Sequence, residues 1–232
     1  MMVEKKGVLL DLDNTLYDYA KSHKAGLNSI LDYCEGNFDI SYSEALIAFN
    51  NGRQKVHIEL VETASCHNRL LYIQKMLECI NVSPFEHALN LYNLYWDHFI
   101  NEMVLFDGVI TFLEKYNQKI CVVSDLTAHI QYRKIEKLNI GKYINCIVTS
   151  EEAGKEKPHP YPFMLALRKL NLTNREVFMV GDSFAKDIVG ALNMGIKSYW
   201  INSDQINRDY DPNLVTELRL FNEMLNIYER DN

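Results

Sequence analysis

The first apolar run of the chain ends in Asp11-Leu12-Asp13-Asn14-Thr15-Leu16. Strand alternation sends Asp11 and Asp13 to the same side. Burying two carboxylates there is costly unless a cation meets them. Three further segments carry groups suited to the same task. Val122-Val123-Ser124-Asp125 ends in a hydroxyl, with backbone N–H groups following near a helix start. Gly154-Lys155-Glu156-Lys157-Pro158-His159-Pro160 sets a lysine beside proline-stiffened backbone. Val180-Gly181-Asp182-Ser183-Phe184-Ala185-Lys186-Asp187 again places acids just past an apolar run. Each has an ordinary explanation: Ser124 as a helix cap, Lys157 as a solvated loop charge, Asp182 as a turn residue. Their joint position at four strand ends is harder to explain that way. Asp11 and Asp182 bring two negative charges together, and Mg²⁺, a hard cation that prefers oxygen, would pair them. Lys157 and the Ser124 hydroxyl would add positive potential and a donor for phosphoryl oxygens.

The elements that must position these residues follow from hydrophobic period. Gly7 to Asp13, Ile120 to Asp125, Cys146 to Ser150, Val177 to Asp182 and Lys197 to Asn202 read as short buried strands. They alternate with helical patterns, which predicts an α/β fold: a Rossmann-like parallel sheet with helices on both faces. Ligands of such sheets sit at the carboxyl ends of the strands, near a topological switch point. One connection is too long for a crossover helix. Residues 17–105 read as an all-helical insertion, a cap domain, leaving residues 1–16 and 106–232 as the α/β core. Ser41-Tyr42-Ser43-Glu44 and Ser83-Pro84-Phe85-Glu86 have capping-box spacing, with Pro84 at the first helical position. Residues 67–80 carry an amphipathic stripe of Leu70, Leu71, Ile73, Met76, Leu77 and Ile80. Asp211 to Arg230 reads as a closing helix with Leu214, Leu218, Phe221, Leu225 and Tyr228 on one face. Thr173-Asn174-Arg175-Glu176 also has capping-box spacing, but it precedes a strand pattern and is discounted.

Composition sets the outer limits. The 232 residues are 47% hydrophobic and 24% charged, enough to bury a core without disulfides or a structural metal. A formal charge of -7 argues against a nucleic acid polymer as partner. No apolar stretch approaches the roughly 20 residues of a spanning helix, and Met1 to Leu10 contain no secretory h-region. Cys34, Cys66, Cys79, Cys121 and Cys146 are odd in number with no CxxC pair, and read as reduced thiols of a cytoplasmic protein.

On these residues the chain resembles the haloacid dehalogenase-like (HAD) hydrolase superfamily, in the branch with a helical cap after the first strand. The four motifs are matched in order by Asp11-x-Asp13-x-Thr15, Ser124, Lys157-Pro158 and Gly181-Asp182-x4-Asp187. Gln131, Lys134, Ser150-x-Glu152-x-Gly154, Gly190-Ala191 and Gly195 stand at the expected spacings. The resemblance implies a Mg²⁺-dependent phosphatase acting on a small phosphorylated metabolite, a sugar phosphate or a nucleoside monophosphate. Asp11 would be the nucleophile and form an aspartyl-phosphate. Asp13 would be the general acid and base, with its carbonyl on the metal. Ser124 and the Asp125 N–H would hold the phosphoryl group, and Lys157 would neutralise it. Asp182 would join Asp11 on the metal, and Asp187 would orient the metal shell or Lys157. An acid at position 13 favours phosphoryl chemistry over dehalogenation, in which that residue is not an acid. Asp125 is a departure, since many relatives carry Asn or a small residue there; its carboxylate would repel phosphate unless it turns to solvent.

The cap would exclude water and contact the leaving group. Tyr17, Tyr19 and the cluster Cys66-His67-Asn68-Arg69 are its candidate contacts. Arg69 would pair with an anionic group of the substrate, or simply face solvent while His67 and Asn68 begin a helix. The tyrosines would pack the hinge, and His159 would be a surface residue. A phosphomutase and a non-catalytic binding or regulatory protein are the alternative readings. The protein is expected to be a monomer or homodimer.

Overall fold

A computed structural model describes residues 5–61, 63–116 and 118–231, except the side chains of residues 228–231. Met1 to Glu4 and the Tyr228 side chain, used above, lie outside the described residues. The chain divides into two compact units, Met1–Asp18 with Val104–Asn232, and Tyr19–Met103. The division falls two residues inside each bound expected for the helical insertion.

In the α/β unit the strands form on short runs rich in aliphatic and aromatic residues. They are β1 (Gly7–Leu10), β2 (Lys119–Ser124), β3 (Cys146–Thr149), β4 (Val177–Gly181), β5 (Lys197–Ile201) and β6 (Val215–Leu218). Every residue of β1 and β4 is buried, as a parallel sheet covered on both faces requires. The strand order is β3-β2-β1-β4-β5-β6, with all neighbours parallel. The chain winds outward one way from β1 and the other way from β4, so the direction reverses between these two strands. Leu10 pairs with Val180, and the Asp11 N–H continues the ladder to the Val180 carbonyl at 2.9 Å. Asp11 and Asp182 therefore leave the sheet side by side at the switch point.

One face of the sheet presents Leu9, Cys121, Val123, Val148 and Met179. They pack on Phe163, Ala166 and Leu170 of α8 (Pro160–Leu170) and on Ala191 of α9 (Val189–Asn193). The opposite face is aromatic. Tyr199 meets Phe178 edge-on, Phe178 meets Tyr116, and Tyr116 stacks on Phe112 of α5 (Val109–Lys115). Phe221, just ahead of α10 (Glu223–Asp231), closes the row against Phe112.

The expected helix over Asp211 to Arg230 is not formed as such. Val215–Leu218 is the sixth strand, parallel to β5, and the helix begins only at Glu223. Leu214 and Leu218, one helical turn apart in the pattern, have opposite fates: Leu214 is exposed and Leu218 is buried. Pairing with an available sheet edge overrides a helical stripe when the competing run is four residues long. At Thr173 the N–H and hydroxyl both donate to the Glu176 carboxylate, at 3.0 and 2.8 Å, and close a turn into β4 rather than start a helix.

Among its described residues the other unit is helical: α1 (Tyr19–Asn37), α2 (Tyr42–Glu59), α3 (Arg69–Cys79) and α4 (Pro84–Glu102), with a 3₁₀ turn at Ala64–His67. The capping box at Ser41 forms in both directions with Glu44. At Ser83 it does not; Pro84 takes the first helical position, but the serine side chain caps nothing. Pro84 at the first helical position lacks one of the orphan N–H groups of the first turn. The stripe over residues 67–80 is a helix only from Arg69, and that arginine is buried with Tyr72, Ile73, Met76 and Leu77. Among the described residues no helix is long and apolar enough to cross a membrane.

The two chain passages between the units are tied to each other within the α/β unit. The Phe106 N–H donates to the Leu16 carbonyl at 2.8 Å, and Tyr17 bridges to Leu105.

Helices α1 and α4 approach closely at Gly26, where an added Cβ would lie 2.6 Å from the Tyr95 carbonyl oxygen. Gly26→Ala is expected to destabilise the helical unit by about 1–3 kcal/mol through overpacking. Urea unfolding followed by circular dichroism measures this, and an unchanged midpoint would contradict the close packing.

Candidate active site

The Lys157 side chain, 4% exposed, gathers the site. Its ammonium donates to Asp11 Oδ1 at 2.7 Å, Asp187 Oδ1 at 2.6 Å and the Val123 carbonyl at 2.8 Å. Three donors meet three acceptors, so the group is fully satisfied. Burial works against the charged form, but Asp11 and Asp187 outweigh it and hold the lysine well above its ordinary value.

The acids are arranged by the chain around them. Asp11 Oδ2 accepts from the Thr15 hydroxyl at 2.8 Å, and Thr15 Oγ1 accepts in turn from the Asp182 N–H at 3.1 Å. Thr15 thus joins the ends of β1 and β4. Asp187 sits in a wide π-helical turn, Phe184–Ile188, and its second oxygen accepts from the Ser183 N–H at 3.0 Å. Such turns recur at functional sites. This one folds Asp187 back over the end of β4, against Gly181, where a Cβ would come within 2.5 Å of the Asp187 carboxyl.

Carboxylate oxygens of Asp11, Asp182 and Asp187 lie within 4.8 Å of one another. Three acids against the one Lys157 ammonium leave two formal negative charges. Burial comes first in raising Asp11 well above the ordinary carboxylate range, with Asp187 and Asp182 adding repulsion against the pull of Lys157. Burial and the Asp187 charge push Asp182 up to about 7, and Asp187 is raised by burial as well. An all-oxygen donor set with excess negative charge fits a hard divalent cation.

Asp13 stands apart from this group. Both of its oxygens accept from Lys134 Nζ, at 2.7 and 2.8 Å, and Oδ1 also accepts from the Tyr17 hydroxyl. Lys134 is 0% exposed on α6 (Ala128–Lys137). One turn earlier on the same face, Gln131 Nε2 donates to Ser124 Oγ at 2.6 Å and to the Asp125 carbonyl at 2.8 Å. Ser124 is thereby held as an acceptor. Its own proton has only the Asp125 carbonyl at 3.5 Å, too long to hold it firmly. Asp125 neither faces solvent nor stands free: its oxygens accept from the Lys157 N–H at 3.1 Å and from Lys186 Nζ at 2.8 Å. Its charge is thus offset on the spot. Leu126, next in the chain, is held at φ +119° with its N–H at 2.8 Å on Oγ of Ser150, the first residue of the short α7 (Ser150–Ala153).

A profile of the haloacid dehalogenase-like hydrolases matches residues 8–201, most of the chain. The chain belongs to that family. It is similar to a ribulose-1,5-bisphosphate 5-phosphatase of Halopiger xanaduensis, 35% identical over 196 residues and covering 82% of each chain. A glyceraldehyde 3-phosphate phosphatase of Methanothermobacter thermautotrophicus is 27% identical over 213 residues, covering 89% of each. Among solved structures, a 2-haloacid dehalogenase of Pseudomonas syringae pv. Tomato superimposes with a TM-score of 0.76 at 21% identity, covering 97% of this chain and 99% of that one. That likeness speaks for the fold.

Of the residues read from the sequence of this HAD-like hydrolase, Asp11, Asp13, Ser124, Asp125, Lys157, Asp182 and Asp187 all lie in the α/β unit at the strand ends. So does Tyr17, which is buried and bonded to Asp13. His159 is exposed and caps α8, its Nδ1 accepting from the Tyr161 N–H at 3.2 Å. Tyr19, Cys66, His67, Asn68 and Arg69 lie in the helical unit. Asn68 caps α3 by accepting from the Leu70 N–H, and Arg69 does not face solvent. Thr15 and Lys134 carry no role that residue type and spacing alone assign, yet they join β1 to β4 and hold Asp13. The signal for Lys134 was a lysine one turn beyond Gln131 on an otherwise apolar helix face.

The raised acids set the sign of the stability profile. Between the ordinary carboxylate value of 3.8 and about 7, native Asp182 binds more protons than it does in the unfolded chain. Stability of the metal-free protein therefore falls as pH rises through that window. In chelator, Tm is expected to drop from pH 5 to pH 8, and added Mg²⁺ should raise Tm more at pH 8 than at pH 5. Equal Mg²⁺ shifts at both pH values in differential scanning calorimetry would contradict this reading.

Proposed function

We propose that the protein is a Mg²⁺-dependent phosphatase that hydrolyses a small sugar phosphate through an aspartyl-phosphate. The observation that carries this is the Lys157 ammonium bonded to both Asp11 and Asp187, with Asp182 alongside at the switch point. A phosphoryl dianion reaches a carboxylate nucleophile only where fixed positive charge offsets both. The two relatives named above, each a phosphatase of a small phosphorylated sugar, favour that substrate class over a nucleotide.

An oxygen of Asp11 would attack phosphorus in line with the ester oxygen; the P–O ester bond breaks, and the departing oxygen takes a proton from Asp13. Water then attacks the same phosphorus and yields its proton to Asp13, and the bond to Asp11 breaks to release phosphate. Ser124, with its proton free, donates to a phosphoryl oxygen, and Lys157 balances the charge of Asp11. Lys134 and Tyr17 hold the Asp13 carboxyl in position. Asp11, Asp182 and the Asp13 carbonyl would hold Mg²⁺, and the ion would supply the charge that lets three acids and a phosphate share one site. Asp187 accepts from Lys157 and from the Ser183 N–H, so it would hold Lys157 while standing in the same oxygen cluster beside the ion.

Phosphate release from p-nitrophenyl phosphate and a panel of sugar phosphates tests this. Activity is expected with Mg²⁺, and none with excess chelator or in Asp11→Asn. Asp13→Asn and Lys134→Met should each lower kcat by roughly 10²- to 10⁴-fold, the usual worth of a positioned acid–base group. Turnover by Asp11→Asn at the wild-type rate would sink the covalent route.

A further inference from the structure

The helical unit carries a buried charge that this chemistry does not use. Arg69 is 5% exposed. Its guanidinium donates only to neutral oxygens: Nε to the Tyr95 hydroxyl at 3.2 Å, Nη1 to the His67 carbonyl at 2.7 Å and Nη2 to the Tyr19 hydroxyl. The Tyr72, Tyr95 and Trp96 rings lie 5.2, 5.5 and 5.7 Å from the guanidinium carbon. Among the described residues no carboxylate pairs with it. Arginine does not shed its charge, and buried charges are ordinarily paired.

The neighbours add positive charge and donors rather than acids. His23 is pushed down to about 4 by burial and by the charges of Arg69 and Arg53. Tyr95 accepts from Arg69 and sends its own proton to His23 Nδ1 at 2.7 Å. That leaves the His23 Nε2 proton to donate. The Tyr72 hydroxyl donates to the Cys66 carbonyl, so His57 Nε2, 2.8 Å away, is its donor. His67 packs edge-on to His57, with ring centres 5.3 Å apart. His23, His57 and His67 are half-buried, and Arg53 is exposed.

We propose that Arg69, with Arg53 and the imidazoles of His23 and His67, forms a binding site for a phosphate or carboxylate group beside His57. His57, Cys66 and His67 also offer ligand atoms within 4.8 Å of one another, a set that suits zinc. Arg69 opposes that use, because it donates to the carbonyl of His67 itself and a dication there would face an unpaired guanidinium. An anion relieves the local charge and a metal compounds it. The site is built within the helical unit alone and does not rest on the phosphatase reading.

Imidazole NMR of the full-length protein in chelator, titrated with inorganic phosphate, tests the site directly. Resonances of His23, His57 and His67 are expected to move and saturate together, with a single dissociation constant. Arg69→Met should abolish the movement and Arg69→Lys should keep part of it. If Arg69→Met does not fold, the exposed Arg53→Met is expected to weaken phosphate binding severalfold. Still resonances in the wild type, shifts undiminished in the variants, or movement of His57 and His67 with Zn²⁺ alone would overturn the proposal. Absence of phosphate release from every substrate would defeat the phosphatase reading alone, because the NMR titration decides the anion site without turnover.

Discussion

The α/β unit is organised around the placement of one ammonium. Lys157 reaches from the segment ahead of α8 to the end of β1 at Asp11, the end of β2 at Val123, and the turn after β4 at Asp187. Each contact ties a different part of the sheet's carboxyl rim to the same point. In a buried cluster the attraction is strong, but so is the penalty for leaving a member unpaired, typically about 3–5 kcal/mol. The excess negative charge at the rim is therefore a standing cost to the fold. A bound cation would relieve it, so stability and chemistry meet in the same residues.

A second support stands opposite. Helix α6 holds Ser124 through Gln131 and Asp13 through Lys134, one turn apart. A shift of this single helix would disturb the phosphoryl-holding hydroxyl and the acid–base group together. Leu126, at a φ that non-glycine residues rarely adopt, sits just before α6 and is held by Ser150. Backbone strain persists where the surroundings over-determine it, and here the surroundings are the β2–α6 turn that carries Ser124 and Asp125.

Much of this was legible in the residues. Strands covered on both faces read as short runs rich in apolar residues, so β1 to β5 are visible in the residues, and the acids just past β1, β2 and β4 stand out by contrast. The edge strand β6 is not, because Leu214 and Leu218 at helical spacing let so short a run satisfy either period. The side chains that do chemistry could be named from type and spacing. Those that hold them could not, since the pairing of Lys134 with Asp13 or of Lys186 with Asp125 depends on how far α6 and the π-turn rotate. Asp125 looked like an electrostatic obstacle only while Lys186 was not known to meet it. The burial of Arg69 is illegible for the same reason, as burial on a helix face is settled by partners distant in sequence.

The hydrogen bond between Phe106 and Leu16, with the bridge of Tyr17 to Leu105, makes the 85-residue helical segment an excursion that leaves and rejoins the sheet domain at one doorway. Lengthening such a detour adds little closure entropy to the host. The α/β domain should therefore accept a short turn across that doorway, or a foreign insert of another size, with its own strand pairing intact. Evolution could replace the insert wholesale while leaving the hydrolytic rim alone.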